Sequence, residues 1–312
     1  MIGPAARLSW PHYTPQRIPP EVRRHESEPD TLGVGQPGKV GLLELGFERV
    51  GGRTELVRHY QKSPLQIMRP LYIDPHHPDL PVVYLMSTGG GIVQADRLRT
   101  DIHCAAGTCV HLTTQAATKI HRMDADFATQ MINIGVGPHG YAEYFPDPII
   151  PFGGSRFYQR TVMTVDDSAT LLAGETMMAG RLARGEHHDY DVFAADLELR
   201  RPDGELLAID TVRLQPRRNR LTGPGIFGQN TLMATFLTTT PMQPATAVAD
   251  ALHAALHNHA VHYGVSALPH DSGAWARILG VDHPALHAAM RSAWNAVRQL
   301  LLGVPAPDLR KT

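Results

Sequence analysis

Residues 127–145 read FATQMINIGVGPHGYAEYF, and this stretch contains the pattern that decides the fold. An alternating segment, residues 127–136, runs into a turn at residues 138–140 and is followed by a second short segment, residues 141–145. Alternation with a period of two is typical of a β-strand with one buried face, and glycine and proline mark the turn between strands. The stretch therefore predicts a strand, a turn and a second strand.

The same arrangement occurs three times, with turns at Gly107, Gly140 and Ser168. The other two copies place residues 96–104 before residues 110–114, and residues 157–165 before residues 169–174. A repeat of strand pairs at a period of about 30 residues predicts stacked layers, each burying a face on its neighbour. We expect a mainly β, β-helix-like body of stacked sheets with antiparallel or mixed strands.

Two hairpins flank the repeats. The first turns at Gly51-Gly52, and the second turns at Asp203-Gly204, between residues 192–199 and 206–212. Such short glycine-containing turns between apolar segments are typical of hairpins.

Helical periodicity is confined to the last quarter of the chain. Apolar residues recur at intervals of three and four over residues 245–263 and 283–302, which predicts two C-terminal α-helices packed on the β body. Residues 1–38 carry seven prolines and little periodicity, and they predict a mobile N-terminal arm. Residues 39–312 are therefore expected to form a single β domain that includes the two helices.

Composition excludes several classes of protein. The 312 residues are 43% hydrophobic and 19% charged, with 29 basic and 30 acidic residues, so a large core can form without a field that attracts nucleic acid or an anionic membrane. No run of 18 apolar residues and no leader-like apolar segment occurs. The two cysteines, Cys104 and Cys109, would close only a very short loop. We interpret the chain as a cytoplasmic protein with no nucleic-acid or membrane partner.

Two glycine-rich segments resemble phosphate-binding loops but lack the required context. Residues 33–39 (GVGQPGK) are followed by Val40 rather than by Ser or Thr, and a strand rather than a helix follows them. Residues 89–91 (GGG) also lead into a strand, which favours a tight turn. The sequence therefore does not predict a nucleotide site.

Three groups of residues have the composition of a metal site. Residues 186–191 (EHHDYD) combine five potential ligands and leave open a metal-dependent hydrolase, although a solvated loop looks the same. His103, Cys104, Cys109 and His111 flank a predicted turn, but small buried cysteines are the commoner outcome. His253 and His257 lie four apart on a predicted helix, where an exposed polar face is favoured.

Four carboxylates lie at strand edges or glycine turns in apolar or glycine-rich surroundings: Asp96, Glu143, Glu175 and Glu186. If the layers stack as predicted, side chains at equivalent places would lie near one another. Clustered oxygen ligands suit the passage of a hard or borderline divalent ion, whereas the alternative is a set of satisfied carboxylates at the rim.

Four ordered stretches, residues 89–98, 112–120, 143–152 and 180–186, resemble the signature blocks of the urease accessory protein UreD, also called UreH. The signature positions are Gly89, Gly90, Asp96, Thr114, Thr118, Lys119, Pro146, Gly180, Arg181, Gly185 and Glu186. The resemblance extends over roughly residues 38–310, and one departure is Ala95 in the place of a glycine.

The resemblance implies a non-catalytic scaffold or chaperone rather than an enzyme. Such a protein binds apo-urease and acts with UreF and, through UreF, with the GTPase UreG, so that nickel is inserted into the urease active site. The family is thought to carry an interior route for nickel, and on that view the transient nickel contacts are Asp96, Thr113, Glu143, Glu175 and Glu186. No tightly bound cofactor is expected, and nickel(II) would bind transiently. An assembly chaperone that moves no metal shares every one of these features.

Overall fold

A computed structural model describes Arg7, residues 9–27, residues 40–309 and Lys311. The glycine-rich segment of residues 33–39 lies outside the described residues. Within them the chain forms seventeen strands. They are β1 (Val40–Val50), β2 (Arg53–Lys62), β3 (Leu65–Gln66), β4 (Val82–Ser87), β5 (Arg97–Cys104), β6 (Cys109–Thr114), β7 (Thr118–Ile120), β8 (Ala128–Val136), β9 (Tyr141–Tyr144), β10 (Ile149–Pro151), β11 (Arg156–Val165), β12 (Thr170–Met178), β13 (Val192–Arg200), β14 (Leu206–Leu214), β15 (Leu232–Thr239), β16 (His262–Ala267) and β17 (Gly273–Gly280).

The strands form two sheets. The seven-stranded sheet has the order β14-β13-β11-β8-β5-β1-β2, and its five central strands are parallel to one another. The ten-stranded sheet has the order β16-β17-β15-β12-β9-β6-β4-β3, with β7 and β10 attached at the side. Strands β4, β6, β9 and β12 are parallel, and β15, β17 and β16 extend this sheet in antiparallel fashion.

The mainly β, solenoid-like fold is confirmed, with 42% of the described residues in strands and 16% in helices. The predicted strand, turn and strand of each repeat do not form a hairpin. Strands β8 and β9 lie in different sheets, and the turn between them carries the chain across. Each strand instead pairs in parallel with the equivalent strand of the next repeat, so that Ala128 of β8 faces Phe157 of β11. A period of about 30 residues provides the long crossover connection that parallel pairing requires.

The two flanking hairpins are confirmed. Strands β1 and β2 pair antiparallel around Gly51 and Gly52, whose φ angles of 58° and 90° lie in the region that favours glycine. Strands β13 and β14 pair antiparallel across Gly204, which has a φ of 96°. Both hairpins place an antiparallel strand at an edge of the seven-stranded sheet.

The two C-terminal helices are confirmed as α2 (Ala245–Leu256) and α3 (His283–Leu302), after a short α1 (Pro20–Arg23). Helix α3 begins at Asp282, whose carboxylate accepts a hydrogen bond from the Ala285 amide at 3.0 Å, and it ends at Gly303 with a φ of 69°. None of the described helices is long and apolar enough to cross a membrane.

Helix α2 is shorter than predicted. We expected it to continue to about residue 263, but residues 262–267 form β16, which pairs with β17. The hydrogen bonds of an antiparallel edge override the weak helical periodicity of this segment. Strand β17 was also missed, so the last quarter of the chain is not purely helical.

The two larger of three apolar clusters form the main cores of the described residues. One lies between the two sheets, and the other lies between the ten-stranded sheet and helices α2 and α3. Alternate residues of β6, β9 and β12 face one core or the other, as the period of a strand requires. Whether a polar residue occupies an odd or an even position in one of these strands therefore decides which of the two cores its side chain faces.

The N-terminal segment lies on the outer face of the seven-stranded sheet. Ile18 and the fully buried Val22 pack with Phe127, Tyr158 and Val192. The mobility of residues 1–38 stays a prediction, but residues 9–27 include apolar side chains that are buried in the folded protein.

Candidate functional site

A cavity of about 210 Å³ lies between the two sheets and is lined by the first two signature stretches. Residues of β1, β5 and β8 form one wall, and residues of β4, β7 and β9 form the other. The polar groups that line it are Ser87, Thr100, Thr114, Gln115, Thr118, Lys119, Gln130 and Tyr144. Thr100 and Tyr144 of this lining are buried, whereas Ser87, Gln115 and Lys119 are exposed, so the cavity runs from the surface of the molecule into the space between the sheets.

The turn of residues 89–91 forms part of this cavity wall. Gly90 and Gly91 have φ angles of 69° and 145°, as expected of a tight turn rather than a phosphate cradle. A Cβ on Gly91 would lie 2.7 Å from the Lys119 carbonyl oxygen. The glycine thus permits close approach of the turn to β7, and that approach shapes the cavity wall.

A second and smaller cavity, of about 30 Å³, lies farther along the same space and contains Glu175. Glu175 is on β12 and Tyr144 is on the neighbouring β9, two residues apart in register and on the same face of the sheet. Burial first, and then the nearby Glu175 carboxylate, raise the pKa of Tyr144 well above its usual range. The Tyr144 side chain, which lines the larger cavity, therefore lies beside the group that lines the smaller one.

Glu175 is held by side chains of the opposite sheet. Gln159 Nε2 and Thr161 Oγ1, both on β11, donate hydrogen bonds to Glu175 Oε1 at 2.8 and 3.0 Å. Burial nevertheless raises the pKa of Glu175 to about 7, because the Thr161 hydrogen bond only partly offsets the loss of water. The carboxyl group is thus near the midpoint of its titration at neutral pH.

An ion pair borders the same cavity. Arg277 Nη2 on β17 donates to Asp210 Oδ2 on β14 at 2.5 Å, across the gap between the sheets. Both residues line the cavity with Glu175. The carboxylate oxygens of Glu175 and the hydroxyl oxygen of Thr161 suit weak binding of a divalent cation, whereas Gln159 presents its amide nitrogen to them.

Glu143 lies on the other face of the ten-stranded sheet, so the expected clustering of the carboxylates is wrong for this pair. Residue 143 is in register with Leu172, which is three positions from Glu175. An odd offset in a strand places side chains on opposite faces. Glu175 therefore faces the interior between the sheets, whereas Glu143 faces helix α3.

Glu143 belongs to a buried network of charged groups. His111 Nδ1 lies 2.7 Å from Glu143 Oε2, and the Tyr141 hydroxyl donates to Glu143 Oε1 at 2.5 Å. Arg298 of α3 approaches Glu143 Oε1 at 3.5 Å and donates to Asp74 Oδ2 at 2.6 Å. Burial raises the pKa of Glu143, but His111 and Arg298 outweigh it and hold that pKa below its ordinary value. This network fastens α3 to the sheet.

The remaining predicted contacts are dispersed. Asp96 is buried beside the glycine turn, and its Oδ2 accepts a hydrogen bond from the Val93 amide at 3.0 Å. Thr113 Oγ1 faces the helices, where it accepts a hydrogen bond from Lys311 Nζ at 2.6 Å. Glu186 pairs with Arg181 outside both cavities. The structure thus brings Glu175 into an interior polar site and leaves these three elsewhere, so their role as nickel contacts stays a prediction.

Comparison with known proteins gives a consistent result. A family described as UreD urease accessory protein matches residues 39–312. The chain is 54% identical to "Urease accessory protein UreD 2" of Streptomyces griseus over 91% of this chain and 98% of that protein. It is 36% identical to the UreD 2 protein of Brucella suis over 92% and 96% of the two chains. The chain belongs to the UreD family of urease accessory proteins.

Several UreD signature residues have structural roles. Arg181 forms an ion pair with Glu186 and lies 4.2 Å from the centre of the Phe152 ring. Gly180 and Gly185, with φ angles of 148° and 76°, allow the turn that this pair closes. In the same way Thr114 Oγ1 accepts from the Asp147 amide at 2.8 Å and holds the loop that contains Pro146. The signature residues by which the sequence resembles the family thus lie largely in turns.

Glu186→Gln is expected to lower the midpoint of thermal unfolding by no more than about 3 °C, because ion pairs near the surface contribute little. Differential scanning calorimetry of the purified variant would check this. A much larger loss would mean that the turn depends on the charge of Glu186 rather than on its glycines.

The geometry of this UreD-family chain does not support a hydrolase centre at residues 186–191. His188 packs against Phe227, and its Nδ1 lies 2.9 Å from the Tyr190 hydroxyl. Asp191 forms an ion pair with Arg156 at 2.8 Å. These side chains contact different partners and do not converge on one point.

The alternative of a metal site at His103, Cys104, Cys109 and His111 is not supported, and the favoured outcome of small buried cysteines is confirmed. Strands β5 and β6 lie in different sheets, so the turn between them is not a hairpin. Cys104 faces the core between the sheets, whereas Cys109 belongs to the core beneath the helices. Both cysteines are free and buried. His253 and His257 are exposed on α2, as favoured.

Sequence reasoning missed most of the partners of Glu175. Gln159, Thr161, Asp210 and Arg277 come from three different strands, and none is adjacent to Glu175 in the chain. One signal was present, because Glu175 occupies a core-facing position in the alternation of β12. A charged residue at such a position indicates a polar site even when its partners are unknown.

Proposed function

We propose that this chain is a non-catalytic scaffold that binds apo-urease and passes nickel(II) through the space between its two sheets. UreF, and through it the GTPase UreG, are the further partners that we propose. Membership of the UreD family supports a general role in urease maturation. The observation that carries the interior route is Glu175, a partly buried carboxyl group that lines a cavity and has amide and hydroxyl partners.

The chemistry of Glu175 suits an ion that must leave again. A carboxyl group with a pKa of about 7 can exchange its proton for a divalent cation near neutral pH. Oxygen ligands bind nickel less tightly than imidazole or thiolate does. A site with one ionisable carboxylate and neutral oxygens would therefore hold nickel transiently rather than as a resident cofactor.

The larger cavity provides an approach to Glu175. Thr114, Thr118 and Gln130 offer oxygen atoms along its walls, and Tyr144, which also lines it, interacts electrostatically with Glu175. Lys119 also lines this cavity and would repel a cation unless water screens it. We propose that a hydrated nickel ion enters here and passes Tyr144 before it reaches Glu175.

The experiment co-expresses the urease subunits and the other accessory proteins with the wild-type chain, with Glu175→Gln or without the chain. The nickel content of purified urease is measured by atomic absorption together with urease activity. We expect low nickel without the chain and a several-fold loss with Glu175→Gln. Glu48→Gln, which changes a half-exposed carboxylate paired with Arg58, serves as the matched control and should load fully.

The results separate this proposal from its alternative. If nickel content falls without the chain but is normal with Glu175→Gln, the chain is an assembly chaperone that moves no metal through Glu175. If nickel content is equal with and without the chain, the role in maturation itself is overturned. Co-purification of Glu175→Gln with apo-urease at the wild-type level would show that the loss lies in metal transfer and not in assembly.

A further inference from the structure

Three potential metal ligands meet at one end of the ten-stranded sheet, outside the interior cavities. His77 and Asp79 belong to the loop between β3 and β4, and Cys109 is the first residue of β6. One ligand atom from each of the three lies within 4.8 Å of the other two. Sequence reasoning did not join them, because Cys109 is about 30 residues from the loop.

The contact between His77 and Asp79 is short but is not a hydrogen bond. His77 Nδ1 lies 2.8 Å from Asp79 Oδ1, yet this buried nitrogen has no hydrogen-bond partner among the described residues. Ligand atoms about 2.0–2.3 Å from a shared ion lie roughly 3 to 4 Å apart. At 2.8 Å the two atoms are slightly closer than two ligands of one ion, so a small rotation of the imidazole ring or the carboxylate would bring both to ligand positions, and the nitrogen lone pair is available to the ion.

Cys109 presents a sulfur atom in the same place. Its Sγ lies 3.4 Å from the Asp79 carbonyl oxygen and 3.4 Å from Thr54 Oγ1. Thr54 Oγ1 accepts a hydrogen bond from the Cys109 amide at 2.8 Å, so the hydroxyl proton is free to point at the sulfur. Such a donor stabilises a thiolate once a metal ion has displaced the thiol proton.

The surrounding residues hold the ligands in position. Arg49 forms an ion pair with the second oxygen of Asp79, Oδ2, and leaves Oδ1 directed at His77. The Thr54 amide donates to the Asp79 carbonyl oxygen at 3.2 Å, and the Leu80 amide donates to the His77 carbonyl oxygen at 3.0 Å. A preformed loop lowers the entropy lost on binding, and a hydrogen-bonded carboxylate is the usual second layer of a metal site.

We propose that His77, Asp79 and Cys109 form a binding site for one borderline divalent cation, of the class that includes zinc and nickel. One imidazole nitrogen, one thiolate and one carboxylate suit these ions, whereas magnesium and calcium prefer oxygen ligands alone. Three protein ligands leave room for water in the fourth position. This site is separate from Glu175, and its existence does not depend on the interior route.

The test uses cobalt(II), which gives an intense near-ultraviolet band when it binds a thiolate. Because Cys104 and Cys109 are the chain's two cysteines, such a band can come from no other residue. The full-length protein is titrated with cobalt(II) under reducing conditions. We expect one equivalent to produce the band in the wild type and in Cys104→Ala, and no band in Cys109→Ala.

A second variant keeps the cysteine and removes another ligand. His77→Gln is expected to retain the band but to weaken cobalt binding at least about tenfold. Surface histidines can also collect cobalt, but they do not produce a thiolate band. Absence of the band in the wild type, its loss in Cys104→Ala, or unchanged affinity in His77→Gln would overturn the proposal. Circular dichroism of each variant shows that it is folded.

Discussion

Arg298→Met is expected to lower the free energy of unfolding by about 3–5 kcal/mol. Arg298 is fully buried, and so are the carboxylates of Asp74 and Glu143 that face it. The substitution removes the charge but leaves both carboxylates away from water. Glu143 keeps His111 and Tyr141 as partners. Asp74, however, loses Arg298, and an uncompensated buried charge is far more costly than the loss of a surface ion pair. Helix α3 would lose its polar attachment to the sheet.

Urea unfolding followed by circular dichroism would measure this loss. Arg291→Met is the matched control, because Arg291 lies on the same helix but is exposed, and we expect a change within about 0.5 kcal/mol. Equal effects of the two substitutions would contradict the idea that the buried network stabilises the docking of α3. Adding Asp74→Asn to Arg298→Met should recover part of the stability, since the carboxylate that lost Arg298 is then no longer charged.

Glu175→Gln is expected to stabilise the fold at pH 8 by about 3 kcal/mol relative to the wild type and to have little effect at pH 5. The pKa of Glu175 is about 7 in the folded chain and about 4.5 in the unfolded chain. Between these values the folded state binds more protons than the unfolded state, so wild-type stability falls as pH rises. A neutral glutamine does not titrate and keeps the same acceptor oxygen.

Urea unfolding at several pH values between 5 and 8 would measure the difference between the two proteins. Glu48→Gln again serves as the control, because a half-exposed carboxylate should show no such pH-dependent gain. A difference that does not grow with pH would mean that Glu175 is already ionised in the folded chain. The expected gain in stability also helps to interpret the nickel experiment. If Glu175→Gln is more stable than the wild type, a lower nickel content of urease cannot be attributed to unfolding of the variant.

The repeat near 30 residues, the two hairpins and the family follow from the sequence. Alternation in segments such as residues 127–136 indicates a strand with one buried face, and glycine pairs such as Gly51-Gly52 indicate turns. These patterns depend only on residues that are close together in the chain. The same local reasoning failed at β16, where pairing with β17 overrides a weak helical pattern.

The partners of each strand were not predictable in this way. A strand followed by a turn and a strand is the pattern of both a hairpin and a solenoid coil. Only the parallel pairing of β8 with β11 distinguishes the two. The candidate site depends on this choice. Gln159 reaches Glu175 because β11 and β12 lie in facing sheets rather than side by side.

The sequence by itself determined the β-rich repeats, the C-terminal helices, the membership of the UreD family and the unusual carboxylates, Glu175 among them. Only the tertiary structure decided that Glu175 faces the interior, that Glu143 faces α3, and that His77, Asp79 and Cys109 meet. The physical reason is that strand periodicity fixes which residues share a face, whereas register and sheet pairing fix what that face meets. Those pairings join residues far apart in the chain, and no local pattern records them.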